Sequence, residues 1–213
     1  MRPMHVILGG TFDPVHHAHL RTAIEVRERL GASQVALVPC HLPPHRSEPG
    51  ATSEQRLAML EAAIAGEPGL FVDDRELARD KPSYTVDTLA SLRETLGESM
   101  PLAMIVGTDA FAAIDRWHDW QRLLTLAHIV VVARPGAEVP AGSVAAELLA
   151  ERATQDPSAL HGAAAGLIWP VSLPPLDISA TDVRRCIREG ASIRYLVPDP
   201  VVSLIRQADL YRG

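Results

Sequence analysis

Three histidines stand within four positions, His16, His17 and His19, directly behind the run Gly9-Gly10-Thr11-Phe12-Asp13-Pro14-Val15. His16 and His19 lie about one helical turn apart, so two imidazoles can donate to one anion from the start of a helix. A helix N-terminus exposes unpaired N–H groups and a partial positive charge, and glycines let the backbone come close; together these make a phosphate site. Donors held where charge develops on a phosphate are what a transfer at phosphorus requires. A lone histidine in such a place more often caps a helix, whereas three behind a Gly-Gly-Thr turn point to chemistry. Zinc is the competing reading of His-x-x-His, although no third ligand of fitting spacing is evident.

A second constellation lies near the other end of the chain, Ile178-Ser179-Ala180-Thr181-Asp182-Val183-Arg184. Ser179 and Thr181 sit where a helix begins, so their hydroxyls and the free N–H groups there can hold phosphate, with Arg184 reaching in as a forked cation. Alone, the run reads as an ordinary serine N-cap followed by a solvent-facing arginine. Its pairing with the histidine motif favours the phosphate reading.

The elements around these motifs follow from periodicity. Short apolar runs alternate with helical patterns, the arrangement of βαβ units in a parallel sheet. His5 to Leu8 reads as the first strand. Leu20, Ala23, Ile24 and Leu30 recur at helical spacing up to a capping Gly31, and Val35 to Val38 follows as the second strand. The histidine motif therefore falls between strand and helix. Residues 39 to 50 hold Pro39, Pro43, Pro44 and Pro49 and cannot be regular. Thr52 and Gln55 form a capping box for a helix closed by Gly66, and Leu70 to Val72 gives a third strand. A helix over Val86 to Leu96 precedes strands at Leu102 to Val106 and Ile129 to Val132, with a helical stretch through Trp117 between them. Residues 136 to 165 read as one helix near Ala145 to Ala153 within a variable surface segment that suggests no chemistry. Leu167 to Val171 is one more strand, Ser179 opens a helix ending near Gly190, and Pro200 to Ala208 is the last. The fold class expected is α/β: a Rossmann-like doubly wound parallel sheet with C-terminal helices. Residues 1–213 are expected to form a single domain, its helical part from about 176 to 213 carrying the second motif.

Composition narrows the ligand. A formal net charge of −6 gives no broad basic face for nucleic acid, so phosphate recognition must come from a few local donors and a small anion. Two cysteines, Cys40 and Cys186, make neither a C-x-x-C pair nor a disulfide framework, which suits a reduced compartment with the cytoplasm as default. Neither a signal peptide nor a membrane anchor is expected, because no long apolar run follows Met1.

The first motif resembles the T-x-x-P-x-H-x-G-H signature of the HxGH nucleotidyltransferases at Thr11, Pro14, His16 and His19, with Ala18 in place of the usual glycine. Ile178 to Arg184 is similar to the I-S-S-T-x-x-R signature of the same superfamily. Within it, the whole chain resembles the bacterial nicotinate-nucleotide adenylyltransferases. That likeness rests on Pro43-Pro44-His45-Arg46, Pro82-Ser83-Tyr84-Thr85, Gly107-Thr108-Asp109, Arg116-Trp117-His118-Asp119-Trp120 and Ala208-Asp209-Leu210-Tyr211-Arg212. Asn often stands in that family where Cys40 and His41 stand here.

The resemblance implies a set of roles. His16, His19 and Arg184 are the implied catalytic residues. ATP is expected at Gly9, Gly10, Thr11, Phe12, Arg46, Asp109, Ser179 and Thr181; the alternative for Arg46 is a solvated loop cation. Nicotinate mononucleotide is expected at His45, Tyr84, Thr85, Trp117, His118 and Arg134. The Trp117 face would stack on the pyridine ring while the N–H groups of Thr85 and His118 read its carboxylate, and Trp120 belongs to packing. Mg²⁺ is expected to be bound mainly through ATP phosphates, with no metal site of the protein's own. Two other readings stay open: another HxGH transfer, onto phosphopantetheine or from CTP onto glycerol phosphate, and a nucleotide-binding module without turnover.

Overall fold

The structure is a computed structural model that describes residues 2–41, 49–79, 82–133 and 136–212. Six strands alternate with helices: β1 (His5–Gly10), α1 (His17–Leu30), β2 (Val35–Pro39), α2 (Ser53–Ile64), β3 (Leu70–Val72), α3 (Thr85–Leu96), β4 (Leu102–Gly107) and α4 (Thr108–Ala112). They continue as α5 (Leu123–Leu126), β5 (His128–Val132), α6 (Val144–Arg152), β6 (Ile168–Val171), α7 (Ala180–Arg188) and α8 (Asp199–Gln207). Every strand pair is parallel, in the order β3-β2-β1-β4-β5-β6. This is the Rossmann order, and the strand order switches direction between β1 and β4, leaving a crevice beyond their carboxyl ends at Gly10 and Gly107.

Alternation along each strand sends side chains into two cores. Val6 and Leu8 of β1, Leu37 of β2, Ile105 of β4 and Val130 of β5 face one layer, with Leu20, Met59, Val183 and Val201 from α1, α2, α7 and α8. Ile7, Val38, Met104 and Ile129 face the other, with Leu89, Leu92 and Ala145 from α3 and α6. Both faces of the central strands are covered, which is why they read as unbroken apolar runs. Pro170 sits in β6, an edge strand, where the missing N–H removes no central ladder bond.

Helix ends follow their local chemistry. Gly31 closes α1 at φ 64°, in the left-handed region that glycine enters without strain. The Thr52 hydroxyl accepts the Gln55 N–H at 3.3 Å while the Gln55 side chain accepts the Thr52 N–H at 2.9 Å, completing the expected box at α2. One element differs from expectation. The stretch through Trp117 is not a continuous helix: α4 gives way to 3₁₀ turns at Ile114–Arg116 and Trp120–Arg122 before α5, and Trp117 lies in the bend between them. Trp117 is itself extended at ψ 144° and ends the first turn, Asp119 is left-handed at φ 49°, and Trp117 both lines the crevice and packs against the second core. Trp120 is half-buried against the second core, in keeping with a packing role.

Candidate active site

A cleft of about 1620 Å³ opens at the switch point. Its walls include the β1–α1 turn, the ends of β4 and β5, the loop from Leu173 to Ile178, the start of α7, and residues 209–212. Both sequence motifs meet here although they stand at opposite ends of the chain.

His16 is the N-cap of α1 and His19 its third residue. Their rings stack, 3.6 Å between centroids and 22° between planes, and the Phe12 ring stands edge-on to His19 at 5.0 Å. The His16 backbone N–H donates to His19 Nδ1 at 3.3 Å, which in a neutral ring leaves the proton on Nε2 as a donor. His16 is 5% exposed and His19 more open, so His19 presents more of its ring to the cleft. Phe12 is left-handed at φ 50° and its side chain is buried beneath Gly10; a Cβ at Gly10 would lie 3.1 Å from the Phe12 ring. Only the Phe12 backbone can therefore meet a ligand. A side chain at Gly9, by contrast, would enter open space, so glycine there keeps the floor clear.

At α7, Ser179 is the N-cap: its hydroxyl accepts the Asp182 N–H at 3.1 Å and donates to the Asp182 carboxylate at 2.6 Å. Its hydroxyl is thus engaged within the helix start, as the plain capping alternative anticipates, while the residue still lines the cleft together with Thr181. Arg184 turns back across the cleft floor. One terminal nitrogen donates to the Asp13 carbonyl at 2.6 Å and lies 3.7 Å from the Asp13 carboxylate, and the other reaches the Thr181 hydroxyl at 3.4 Å.

On the far layer, Thr85 is the first residue of α3, a position whose N–H has no intrahelical acceptor, and Trp117 lines the cleft beside it. Tyr84 and His118 bring these two stretches together, ring centroids 4.4 Å apart. Neither Tyr84 nor His118 is among the described residues lining the cleft, so their own side chains stand behind the wall that Thr85 and Trp117 form. Asp109, the second residue of α4, lines the cleft from the end of β4. His45, Arg46 and Arg134 lie outside the described residues.

Three residues with site roles escape a reading by motif. Asp13 is 6% exposed and its carboxylate accepts the N–H groups of Gly50 and Ala51 at 2.8 and 3.1 Å and the Tyr211 hydroxyl at 2.7 Å. Arg56 is 1% exposed and places all five of its N–H donors: on the carbonyls of Ala51, Thr11, Cys40 and His41 and on the Ser53 hydroxyl. It pins the loop after β1 to the loop after β2. Glu76, buried on the cleft wall, accepts the Thr88 hydroxyl at 2.6 Å; burial raises its pKa, against the hydrogen bonds from Thr88 and Ser83. Asp13 was visible in the first motif without a role, while the partners of Arg56 and Glu76 carry no sequence signal. Gly136 and Ala137, from the segment expected to hold no chemistry, also line the cleft. Among the described residues no group of three or more His, Cys, Asp or Glu side chains could hold a metal ion, and no helix is long and apolar enough to cross a membrane.

The class comes from a family model: the one described as cytidylyltransferase-like matches residues 7–186, from β1 to α7, and so spans both motifs. The chain is 57% identical over 208 residues to a Marinobacter nauticus protein named "Probable nicotinate-nucleotide adenylyltransferase", covering 98% of this chain and 96% of that one. A protein of the same name from Aeromonas salmonicida is 48% identical, over 97% of this chain and 96% of its own. The chain belongs to the nicotinate-nucleotide adenylyltransferase family. Its fold is shared with the solved Plasmodium falciparum nicotinic acid mononucleotide adenylyltransferase complexed with NaAD, at a TM-score of 0.77 and 17% identity over 99% of this chain and 98% of that one.

Proposed function

We propose that this chain transfers the adenylyl group of ATP to the 5′-phosphate of nicotinate mononucleotide, giving nicotinate adenine dinucleotide and pyrophosphate, a step of NAD biosynthesis. The observation that carries the reading is the meeting of the stacked His16–His19 pair, Arg184 and Trp117 on one cleft at the switch point. An oxygen of the mononucleotide phosphate attacks the α-phosphorus in line; the new P–O bond forms as the bond to the β-phosphate bridging oxygen breaks, and pyrophosphate leaves. The attacking group is already an anion, so no enzyme nucleophile or strong base is needed. Catalysis is positioning plus charge stabilisation. His19, with its proton on Nε2, and His16 donate to the transferring phosphate at the N-terminus of α1, where the helix adds its own partial charge. Arg184 and Arg46 neutralise the departing pyrophosphate.

ATP would bring Mg²⁺ with it, the ion neutralising phosphate charge and bound mainly through the ATP phosphate oxygens. The backbone of Gly9, Gly10, Thr11 and Phe12 and the start of α7 at Ser179 and Thr181 cradle the nucleotide, and Asp109 accepts from a ribose hydroxyl. Trp117 stacks on the pyridine ring, and the N–H groups of Thr85 and His118 read its carboxylate, with Tyr84 buttressing His118. His45 and Arg134 complete the mononucleotide site on this reading. We read residues 1–213 as one domain, with the 176–213 part delivering the second motif to the first, and place the protein in the cytoplasm, where Cys40 and Cys186 stay reduced.

The test is pyrophosphate release from magnesium–ATP with nicotinate mononucleotide, nicotinamide mononucleotide or phosphopantetheine as sole acceptor. Release with nicotinate mononucleotide well above the other two is expected. Release with phosphopantetheine instead would keep the chemistry and remove the substrate, and ATP binding without release for any acceptor would make the chain a nucleotide-binding module.

A further inference from the structure

Residues 208–212 follow α8 as a turn that folds back over the cleft, and Asp209, Leu210, Tyr211 and Arg212 all line it. Asp209 and Tyr211 are left-handed, at φ 50° and 66°, a conformation that a tyrosine adopts only when its surroundings over-determine it. Those surroundings are explicit. The Tyr211 ring lies flat enough on Gly50 that a Cβ there would stand 2.9 Å from it, and the hydroxyl donates to Asp13 Oδ1 at 2.7 Å across 198 positions of sequence. The Ala51 N–H donates to that same oxygen and the Gly50 N–H to Oδ2, and Arg184 donates to the Asp13 carbonyl. One short segment thus clasps the first motif and the loop before α2, and is joined through Asp13 to the arginine of the second motif.

Resting on the functional reading above, we propose that Tyr211 is a positioning residue: its hydroxyl fixes Asp13 and, through Asp13, the Arg184 guanidinium against the reacting phosphates. Burial and the neighbouring Asp13 carboxylate push the Tyr211 hydroxyl pKa far above its ordinary range, so it remains a donor throughout the working pH range. Without that donor, the Asp13 carboxylate keeps its two backbone N–H partners yet loses one restraint, so its 3.7 Å approach to Arg184 can shorten into a hydrogen-bonded pair. Such a pair draws the cation off the leaving pyrophosphate. Among the described residues, Tyr84 and Trp117 of the pyridine end pack with the second core, on the opposite layer from this clasp.

The experiment is steady-state pyrophosphate release by wild type, Tyr211→Phe, Arg184→Lys and the double variant, with melting curves for each. Phenylalanine keeps the ring on Gly50, so the melting temperature of Tyr211→Phe should stay within about 3 °C of wild type. Its kcat should fall about tenfold, the effect of losing one hydrogen bond to a charged group, while the KM for nicotinate mononucleotide stays within about twofold. The double variant should be no slower than Arg184→Lys alone, because both substitutions remove one function. A Tyr211→Phe enzyme within about twofold of wild-type kcat overturns the proposal. So does a multiplicative double variant, a KM for the mononucleotide that rises in step with the loss of rate, or a loss of fold, which would make Tyr211 a structural residue. The functional reading is judged in the same assay by wild type alone: no release there overturns that reading and the clasp with it, whereas normal release beside an unaltered Tyr211→Phe overturns only the clasp.

Discussion

Replacing Arg56 with methionine tests how the loops after β1 and β2 are held together. The guanidinium makes five hydrogen bonds, four to backbone carbonyls and one to the Ser53 hydroxyl, from a side chain 1% exposed. Five bonds from a charged donor at about 1.5 kcal/mol each amount to roughly 7 kcal/mol of interaction. Against this stands the desolvation of a buried cation, several kcal/mol, which methionine does not suffer. Methionine also fills much of the volume, so no large cavity term is added. The net loss is then about 3 to 5 kcal/mol, the usual range for removing one member of a buried polar network. For a chain of this length that corresponds to a fall in melting temperature of about 6 to 20 °C. Urea unfolding of wild type, Arg56→Met and Arg56→Lys measures it, and lysine, with three donors on one point, should recover less than half of the loss. Because two of the five bonds fix the carbonyls of Thr11 and Cys40, the KM for ATP should rise in Arg56→Met at temperatures where it stays folded. An Arg56→Met protein within about 1 kcal/mol of wild type would show that these carbonyls find other donors, and the reasoning would fail.

His19→Ala should lower kcat about 100- to 1000-fold, since one preorganised donor is worth about 2.7 to 4 kcal/mol of the barrier; single-turnover rates within threefold of wild type would remove His19 from the chemistry. Glu76, its pKa raised above the ordinary 4.5 by burial, contributes most to stability while protonated and loses that contribution as pH rises through its folded value. The melting-temperature gain of Glu76→Gln over wild type should therefore grow from pH 4.5 toward neutrality, and a gain independent of pH would refute the assignment. His128 has the opposite sign: burial lowers its pKa from 6.5, and its ring is held neutral between the Ala163 carbonyl and the Leu167 N–H. Its contribution is present above pH 6.5 and lost as pH falls through the lower folded value, so wild type should lose more stability than His128→Gln on acidification from pH 8 to 5.

Much of this was legible because the signals are local. Strand and helix periods, the Gly31 cap, the Thr52–Gln55 box and the helix starts that carry the two motifs are patterns over a few residues, and each appears where the spacing predicts it. The helical stretch expected through Trp117 is present only in pieces, broken where Trp117 is extended and Asp119 left-handed, two backbone conformations that an amphipathic count cannot register. What could not be read is the scaffolding of the motifs. Arg56 reaches Thr11 across 45 positions, Arg184 reaches Asp13 across 171, and Tyr211 reaches it across 198.

That division has a physical origin. A residue that touches phosphate is recognisable by its type beside a helix start, because the helix terminus and the charge do the binding together. A residue that holds it in place works through backbone carbonyls and N–H groups, which every residue has, so nothing in the neighbouring sequence marks its partners. Asp13 joins the two classes. It stands inside the first motif and lines the cleft, yet its carboxylate accepts from two backbone N–H groups and a tyrosine and lies 3.7 Å from the arginine. A motif is therefore partly a list of contacts and partly a record of what holds them. Asp13→Asn strikes both at once: three donors share the two carboxylate oxygens, an amide keeps only one oxygen and turns its NH2 toward a remaining donor, so part of the clasp is lost together with the electrostatic hold on Arg184.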